Sequence, residues 1–240
     1  MIQWCKLLLL AAAWPAAVSA QGVYDLLPLS GTMPDTNAVT QVAGRKIETT
    51  NTAAADLATY RRTAIAKLVD GPTAPLDSAA AFRLRYFPYA ADLSFAAVFR
   101  PSSDSTLVNF PTSDGRARAY RAYGELIFFH RGAPYQLTVF EMPGLAAHPV
   151  YGDLLFLPFF DDSNGETTYG GGRYLDLARS ALESGDYRLD FNRAYNPWCA
   201  YADGYSCPIP PLTNALPFAV HAGEAAFATD VDAVDVAVGL

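Results

Sequence analysis

The chain has 240 residues, about half of them hydrophobic, and its 24 acidic residues outnumber 17 basic ones, which gives a formal net charge of -7 at pH 7. This balance, without any cluster of Lys and Arg, excludes the electrostatic footprint of a nucleic-acid-binding protein. A chain of this length can bury a hydrophobic core without help from disulfides or metals.

The first twenty residues have the composition of a secretory signal peptide. Lys6 precedes an apolar run from Leu7 to Trp14, and Pro15 and small residues then lead to Ala20, where the pattern predicts cleavage. The run is too short to span a bilayer, and no later stretch offers about 18 uncharged apolar residues. We therefore expect an exported protein, periplasmic or extracellular, without a transmembrane segment. Removing Lys6 from the 17 basic residues leaves 16 against 24 acidic ones.

The rest of the chain divides into a leader, one domain and a tail. Residues 21–51 are rich in Thr, Ala, Val and Pro and predict an irregular leader. Asn51 and Thr52 then offer an N-cap, and an apolar stripe follows as far as Asp70-Gly71-Pro72, which predicts one helix of about four or five turns. This helix opens a single domain at 52–224. The alternation of Asp with Val or Ala predicts a weakly ordered tail at 225–240.

After Pro75 the hydrophobic period changes to two. Alternation predicts half-buried strands around residues 82–86 and 116–120, and residues 124–142 predict a hairpin with its connection at 130–134. Residues 154–160, LLFLPFF, are apolar on both faces and predict a central strand with Pro158 at a bulge or an unpaired position. The turn at 161–165 then predicts a strand through Thr168 and Tyr169, and ARSALESGDY predicts a short helix or turn.

Together these elements predict a mainly β domain with one N-terminal α-helix. Its antiparallel meander is expected to be closed as a barrel or folded as a sandwich, because strands and turns follow one another at short spacing.

Four long motifs then stand out, in this order: FPY at 87–89, GETTYGGGRYLD at 165–176, LDFNRAYNPWCAY at 189–201, and CPIPPLTNALP with the following AGE at 207–224. In this order and at this spacing they resemble the domain of unknown function 1684 family, a group of bacterial and archaeal proteins. The resemblance extends over roughly residues 53–224. It implies no activity, because none is established for the family, and function has to be argued from the residues.

The glycines at 170–172 do not form a phosphate-binding loop. No Lys-Ser or Lys-Thr follows them, and the pattern continues as a strand instead of a helix. Glycines in a strand permit a bulge or the close approach of another group. They leave room either for a ligand or for a neighbouring aromatic ring, and we favour the ring.

Arg173 and Asp190 are expected on neighbouring strands near the end of the meander. A buried guanidinium needs a partner, so the favoured interpretation is an internal ion pair that fixes strand register. The other interpretation is that Arg173 binds a carboxylate or another anion and is oriented by Asp190. The remaining candidates for such a ligand site are Tyr169, Tyr174, Asn192, Tyr195 and Asn196.

Cys199 and Cys207 are expected to form a disulfide, because an exported chain occupies a compartment where disulfides persist. Closing this short loop contributes about 2.5 kcal/mol on the chain-entropy model. A closed zinc site is the weaker alternative, since the second Cys or His pair is missing. The three scattered histidines offer no metal-ligand spacing, and we expect neither a metal nor another cofactor: His130, His148 and His221.

Three functions remain open on these residues. The first is an exported protein that binds a small polar or anionic ligand where the GGGRY strand, the LDFN strand and the cysteine loop converge. The second is a cell-envelope hydrolase with Asp190 or Glu224 as general base and Arg173 as anion stabiliser, although no nucleophile is recognisable. The third is a structural or interaction module with an envelope protein as partner and no small ligand.

Overall fold

The protein is built on one mainly antiparallel sheet. The computed structural model describes residues 50–185 and 187–228, with side chains from residue 53 onward. The strands pair in the order β6-β5-β4-β3-β1-β7, while β2 pairs with β3 and β8 pairs in parallel with β5. The bounds are β1 Ser94–Pro101, β2 Leu107–Pro111, β3 Ala117–His130, β4 Ala133–Glu141, β5 Leu154–Asp161, β6 Arg173–Ala178, β7 Tyr187–Asp190 and β8 Ala215–Leu216, with helices α1 Thr50–Val69 and α2 Arg179–Glu183.

The sheet curls into a half-barrel that stays open. The mainly β class and the antiparallel pairing are confirmed, but the predicted closure as a barrel or sandwich is wrong, since β6 and β7 end the sheet path without pairing with each other. The free edge of β6 is used by an irregular segment instead. Tyr174 and Tyr195 exchange two backbone hydrogen bonds, of 2.9 and 3.0 Å, and this isolated bridge replaces the strand pairing that would close a barrel.

The predicted hairpin is confirmed and is tighter than expected. β3 and β4 are joined by Arg131 and Gly132 alone, and both have positive φ, 50° and 81°. A two-residue turn of this kind matches the right-handed twist of the flanking strands.

Pro158 interrupts the sheet within the predicted central strand, β5. It has no N–H to donate, and β4 and β5 pair only at Phe140 and Phe156. Asn214 fills the gap: its Oδ1 accepts from Thr138 N, and its Nδ2 donates to the carbonyls of Thr138 and Pro158, each at 2.8 Å. One buried amide thus holds the two strands together where the backbone cannot.

Two predicted strands are absent from the described residues. The first, around residues 82–86, does not form: a 3-10 turn at Ala80–Arg83 includes its first two residues, and Asp77 Oδ1 accepts from Ala80 N at 2.6 Å at the start of this turn. Only Tyr86 forms a bridge, to Glu224. The second, through Thr168, is reduced to a bridge with Asn164, and β6 starts only at Arg173.

The two faces of the sheet bury different clusters. The larger core lies on one face and contains Leu126, Phe128, Leu137, Leu157, Phe159, Leu175 and Leu189 among others. The second face carries a small aromatic cluster of Phe110, Tyr120 and Phe140, against which Met142 and Phe156 pack. Because side chains alternate along a strand, Tyr174 and Asp176 of β6 share this second face.

Helix α1 is confirmed with its predicted end. It stops at Val69 before Gly71, whose φ of 101° suits a helix terminus, and Leu57 and Leu68 are buried against the domain. The predicted short helix is α2. The predicted signal peptide, nearly all of the leader and most of the tail lie outside the described residues. Among the residues that are described, no helix is both long and apolar enough to cross a bilayer.

Candidate functional site

Arg173 is fully buried, and both of its terminal nitrogens are engaged by the protein, whereas its Nε has no hydrogen-bond partner among the described residues. Its Nη2 donates to Asp161 Oδ2 at 2.9 Å and to the carbonyl of Val220 at 2.7 Å. Its Nη1 donates to the carbonyls of Ala222 and Glu224. The guanidinium therefore ties β6 to the end of β5 and to residues 220–224, and none of these bonds faces an open site.

The predicted partner of Arg173 is wrong. Asp190 lies at the end of β7, at the other end of the sheet path, and its carboxylate caps the turn that follows by accepting from Asn192 N. Asn192 in turn exchanges two hydrogen bonds of 2.8 Å with the backbone of Ala90. Both residues hold loops in place, so the structure separates them from Arg173.

The glycines before β6 are crowded by protein. A Cβ on Gly171 would come within 2.4 Å of the Tyr169 ring, and one on Gly172, where φ is +82°, would come within 2.8 Å of the Phe159 carbonyl oxygen. A neighbouring aromatic ring thus occupies the space at Gly171, in agreement with the favoured interpretation.

The cysteine segment is clamped as predicted. Cys199 and Cys207 form a disulfide, and Ser113, beyond the end of β2, binds it from outside through hydrogen bonds to Cys207 N and the Tyr205 carbonyl. Tyr205 also donates to the carbonyl of Thr73 at 2.7 Å. The segment 195–208 is therefore a fixed cover over the second face of the sheet.

Between this cover and the sheet lies a cavity of about 450 Å³, which we term the aromatic recess. Its floor comes from β3, β5 and β6, its roof from the clamped segment, and one side from the turn after β4. The lining is mostly aromatic and apolar: Arg118, Tyr120, Met142, Leu145, Leu154, Phe156, Tyr174, Asp176, Tyr195, Pro197, Trp198, Tyr205, Ser206, Cys207 and Pro208. This volume is within the range of small-molecule sites.

Among the described residues that line this recess, Asp176 alone carries a carboxylate. It accepts a hydrogen bond of 2.7 Å from the Tyr195 hydroxyl and remains accessible to solvent. Desolvation by the surrounding protein raises the pKa of Asp176, although the Tyr195 hydrogen bond and the charge of Lys67 oppose the shift. Burial raises the pKa of Tyr195 well above its ordinary value, and the negative charge of Asp176 is the second cause of this shift.

A second cavity, of about 270 Å³, lies on the α1 side, and we term it the helix recess. It shares Asp176, Tyr195 and Trp198 with the aromatic recess, so the two adjoin. Its other lining residues are Tyr60, Thr63, Ala64, Lys67, Leu68, Asn196, Tyr201 and Glu224.

Glu224 is buried at the inner wall of the helix recess. Its carboxylate accepts hydrogen bonds from the hydroxyls of Tyr86 and Tyr201 and from Asn196 N. Desolvation raises the pKa of Glu224 despite these donors and the nearby charge of Arg173. Three donors already engage this carboxylate, so its geometry is that of an anchored group and not of a free general base.

Of the predicted ligand-site residues, the structure brings three to the recesses, namely Tyr174, Tyr195 and Asn196, and Glu224, the candidate general base, lines the helix recess as well. Tyr169, Arg173, Asp190 and Asn192 line neither recess. Sequence reasoning missed Asp176, Lys67 and Tyr60. The alternation in RYLDLA does place Asp176 on the face of Tyr174, and this was the available signal.

A further open cleft of about 620 Å³ lies beside β1, β3 and α2. Most of its polar side chains are already engaged: Glu141 pairs with Arg121 and with Arg179 outside the cleft, each at 2.9 Å, and Glu183 accepts from Tyr123. The cleft therefore offers fewer free groups to a ligand. Within residues 50–185 and 187–228, no group of three or more His, Cys, Asp or Glu side chains could hold a metal ion.

Fold and site together define a β-rich domain with an aromatic recess under a disulfide-clamped cover. The chain belongs to the family described as Protein of unknown function (DUF1684), whose model matches residues 81–225, and the resemblance seen in the sequence is confirmed. A solved structure is similar: the solution NMR structure of an uncharacterized protein from gene locus rrnAC0354 of Haloarcula marismortui. It is 30% identical, with a TM-score of 0.57 over 76% of this chain and 97% of that chain. No curated protein matches.

Proposed function

We propose that this is an exported protein that binds a small, mainly apolar molecule in the aromatic recess. The observation that carries the proposal is the recess itself, a cavity of about 450 Å³ whose described walls are mostly aromatic and apolar, with Asp176 and Arg118 as charged residues. Sites for small molecules are typically concave and apolar, with a few placed polar groups that fix orientation. Export rests on the signal-peptide pattern before Ala20.

The site differs from the one expected from sequence. The anion-binding role proposed for Arg173 has no support in its geometry, because Asp161 and three backbone carbonyls occupy the guanidinium. The hydrolase loses its support as well: Asp190 lies at the other end of the sheet path, and Glu224, although near Arg173, is already engaged by three donors. We therefore propose the aromatic recess as the ligand site, in place of the anion site at Arg173 and of the hydrolase site.

The protein carries its own reporter of this site. Its three tryptophans are Trp4, Trp14 and Trp198, and Trp198 lines both recesses. In the full chain with Trp4→Phe and Trp14→Phe, fluorescence therefore reports Trp198 alone. We expect cyclohexylmethanol, an apolar probe without its own fluorescence, to change this emission saturably in the millimolar range.

Two leucine variants make the test specific. Leu145→Arg places a charge in the recess and should abolish the saturable change, whereas Leu212→Arg, at a leucine that is 83% exposed and lines neither recess, should retain it. Thermal melting of each variant checks that it folds. No saturation in the parent chain, or equal binding by Leu145→Arg, would refute the proposal and favour a structural or interaction module.

A further inference from the structure

The helix recess presents hydrogen-bond acceptors but few free donors. The hydroxyl hydrogens of its three tyrosines are already donated: that of Tyr60 to the carbonyl of Arg193, that of Tyr195 to Asp176, and that of Tyr201 to Glu224. An incoming polar group that meets these three oxygens must therefore supply the hydrogen itself.

Asn196 adds an acceptor that nothing in the described chain satisfies. The residue is 2% exposed and lines the recess, and its Oδ1 has no hydrogen-bond partner. The assignment of oxygen and nitrogen is fixed, because Nδ2 donates to the carbonyl of Ala225 at 2.8 Å. The partial negative charge of this unpaired oxygen adds to the negative potential at this wall, while the atom itself is buried behind the surface of the recess.

The charges around the helix recess favour a cation. In the part of its lining that the structure describes, Asp176 and Glu224 are acidic and Lys67 alone is basic. Three arginines nearby are engaged elsewhere. Arg61 donates to the carbonyl of Phe87, and Arg173 pairs with Asp161. Arg193 lies 3.9 Å from Asp190 and over the Tyr60 ring.

The walls suit a cation as well. Tyr60, Tyr195, Trp198 and Tyr201 surround the recess, and the faces of aromatic rings attract ammonium groups. Asp176 stands where the two recesses adjoin, so one molecule can place an apolar body in the first and a charged end at this carboxylate.

We propose that the helix recess receives the ammonium group of an amine whose apolar body lies in the aromatic recess. This inference rests on the proposed function and names its ligand class, a small apolar amine. Asp176, which is exposed to solvent and lines both recesses, supplies the counter-charge.

The test compares two probes that differ only in the charged group. In the chain whose sole tryptophan is Trp198, cyclohexylmethylamine should bind about tenfold more tightly than cyclohexylmethanol, from an ion pair and ring faces acting together. Asp176→Asn should reduce this preference to about twofold or less. Lys67→Met, which removes the competing cation, should increase it severalfold.

A charge control and the anionic probe complete the design. Glu166→Gln removes a negative charge from an exposed turn and should leave the ratio of the two affinities as it is. If both probes bind equally, or cyclohexanecarboxylate binds best, the amine inference is wrong while the apolar site stands. If no probe binds, the proposed function itself fails.

Discussion

At the scale of single residues, Arg173 is the residue whose contribution to stability is clearest. With Arg173 and Asp161 both fully buried as side chains, removing one partner leaves an uncompensated charge. Arg173→Met should therefore lower the free energy of unfolding by about 3–5 kcal/mol, measured by urea denaturation. Arg173→Lys should recover only part of it, because an ammonium cannot reach one carboxylate and three carbonyls at once.

The exposed pair Arg116 and Asp114 gives the control for this prediction. Arg116→Ala should leave the unfolding midpoint nearly unchanged, since surface ion pairs contribute little. A loss in Arg173→Met no larger than the loss in Arg116→Ala would contradict the structural role.

Glu224 makes stability depend on pH. Burial raises the pKa of Glu224 above its ordinary 4.5, so the folded protein holds this proton more tightly than the unfolded chain. The resulting stabilisation is complete below the ordinary pKa and is lost as pH rises through the raised one. Glu224→Gln removes the titration. Relative to the parent, the variant should thus become more stable as the pH rises from about 4 to 8, as read from urea unfolding at each pH.

A matched variant separates this effect from net charge. Glu166→Gln, in the exposed turn before β6, should follow the parent profile across the same pH range. Parallel profiles for the parent and Glu224→Gln would show that the buried carboxyl does not titrate with a raised pKa.

At the scale of elements, the cover over the aromatic recess depends on its disulfide. Cys199 and Cys207 are eight positions apart, and opening this loop should cost about 2.5 kcal/mol on the chain-entropy model. The variant Cys199→Ser with Cys207→Ser should show this loss in chemical denaturation. It should also bind cyclohexylmethanol more weakly, because a loosened cover no longer fixes Trp198. Unchanged binding would mean that hydrogen bonds such as those of Ser113 suffice to hold the cover.

Elements were predictable from the sequence where local patterns decide them. The end of α1, the β3–β4 hairpin and β5 follow from a helix terminus, a turn with glycine and an apolar run. The strand predicted at residues 82–86 does not form, because Asp77 Oδ1 accepts a hydrogen bond from Ala80 N at the start of a competing turn. Period-two alternation does not register such a local hydrogen bond.

At the scale of the whole molecule, the closure of the sheet and the choice of ion-pair partners depend on contacts between residues that are far apart in sequence. The segment after β7 returns to β6, where Tyr195 forms a bridge with Tyr174. Arg173 on the same strand pairs with Asp161 at the end of β5 instead of with Asp190. The sequence did indicate the types of residue in the site, and it predicted Tyr195 and Asn196 among them. The recess needs Tyr60 and Lys67 from α1 as well, and no spacing in the sequence joins that helix to β6.

The predicted export of the chain can be tested directly. Expression in a bacterial host with an intact secretion pathway should give a mature protein that starts at Gln21, as shown by N-terminal sequencing. The signal pattern before Ala20 is the reason for this expectation. Recovery from the cytoplasm with residues 1–20 still attached would contradict it.

The most direct measurement of the central claim is a map of where an apolar probe binds. Amide chemical shifts of the ¹⁵N-labelled protein, recorded during titration with cyclohexylmethanol, should change saturably around Tyr120, Phe156, Tyr174 and Trp198, the walls of the aromatic recess. Changes confined to the other cleft, near Ser102 and Tyr123, or no saturable change at all, would contradict the account.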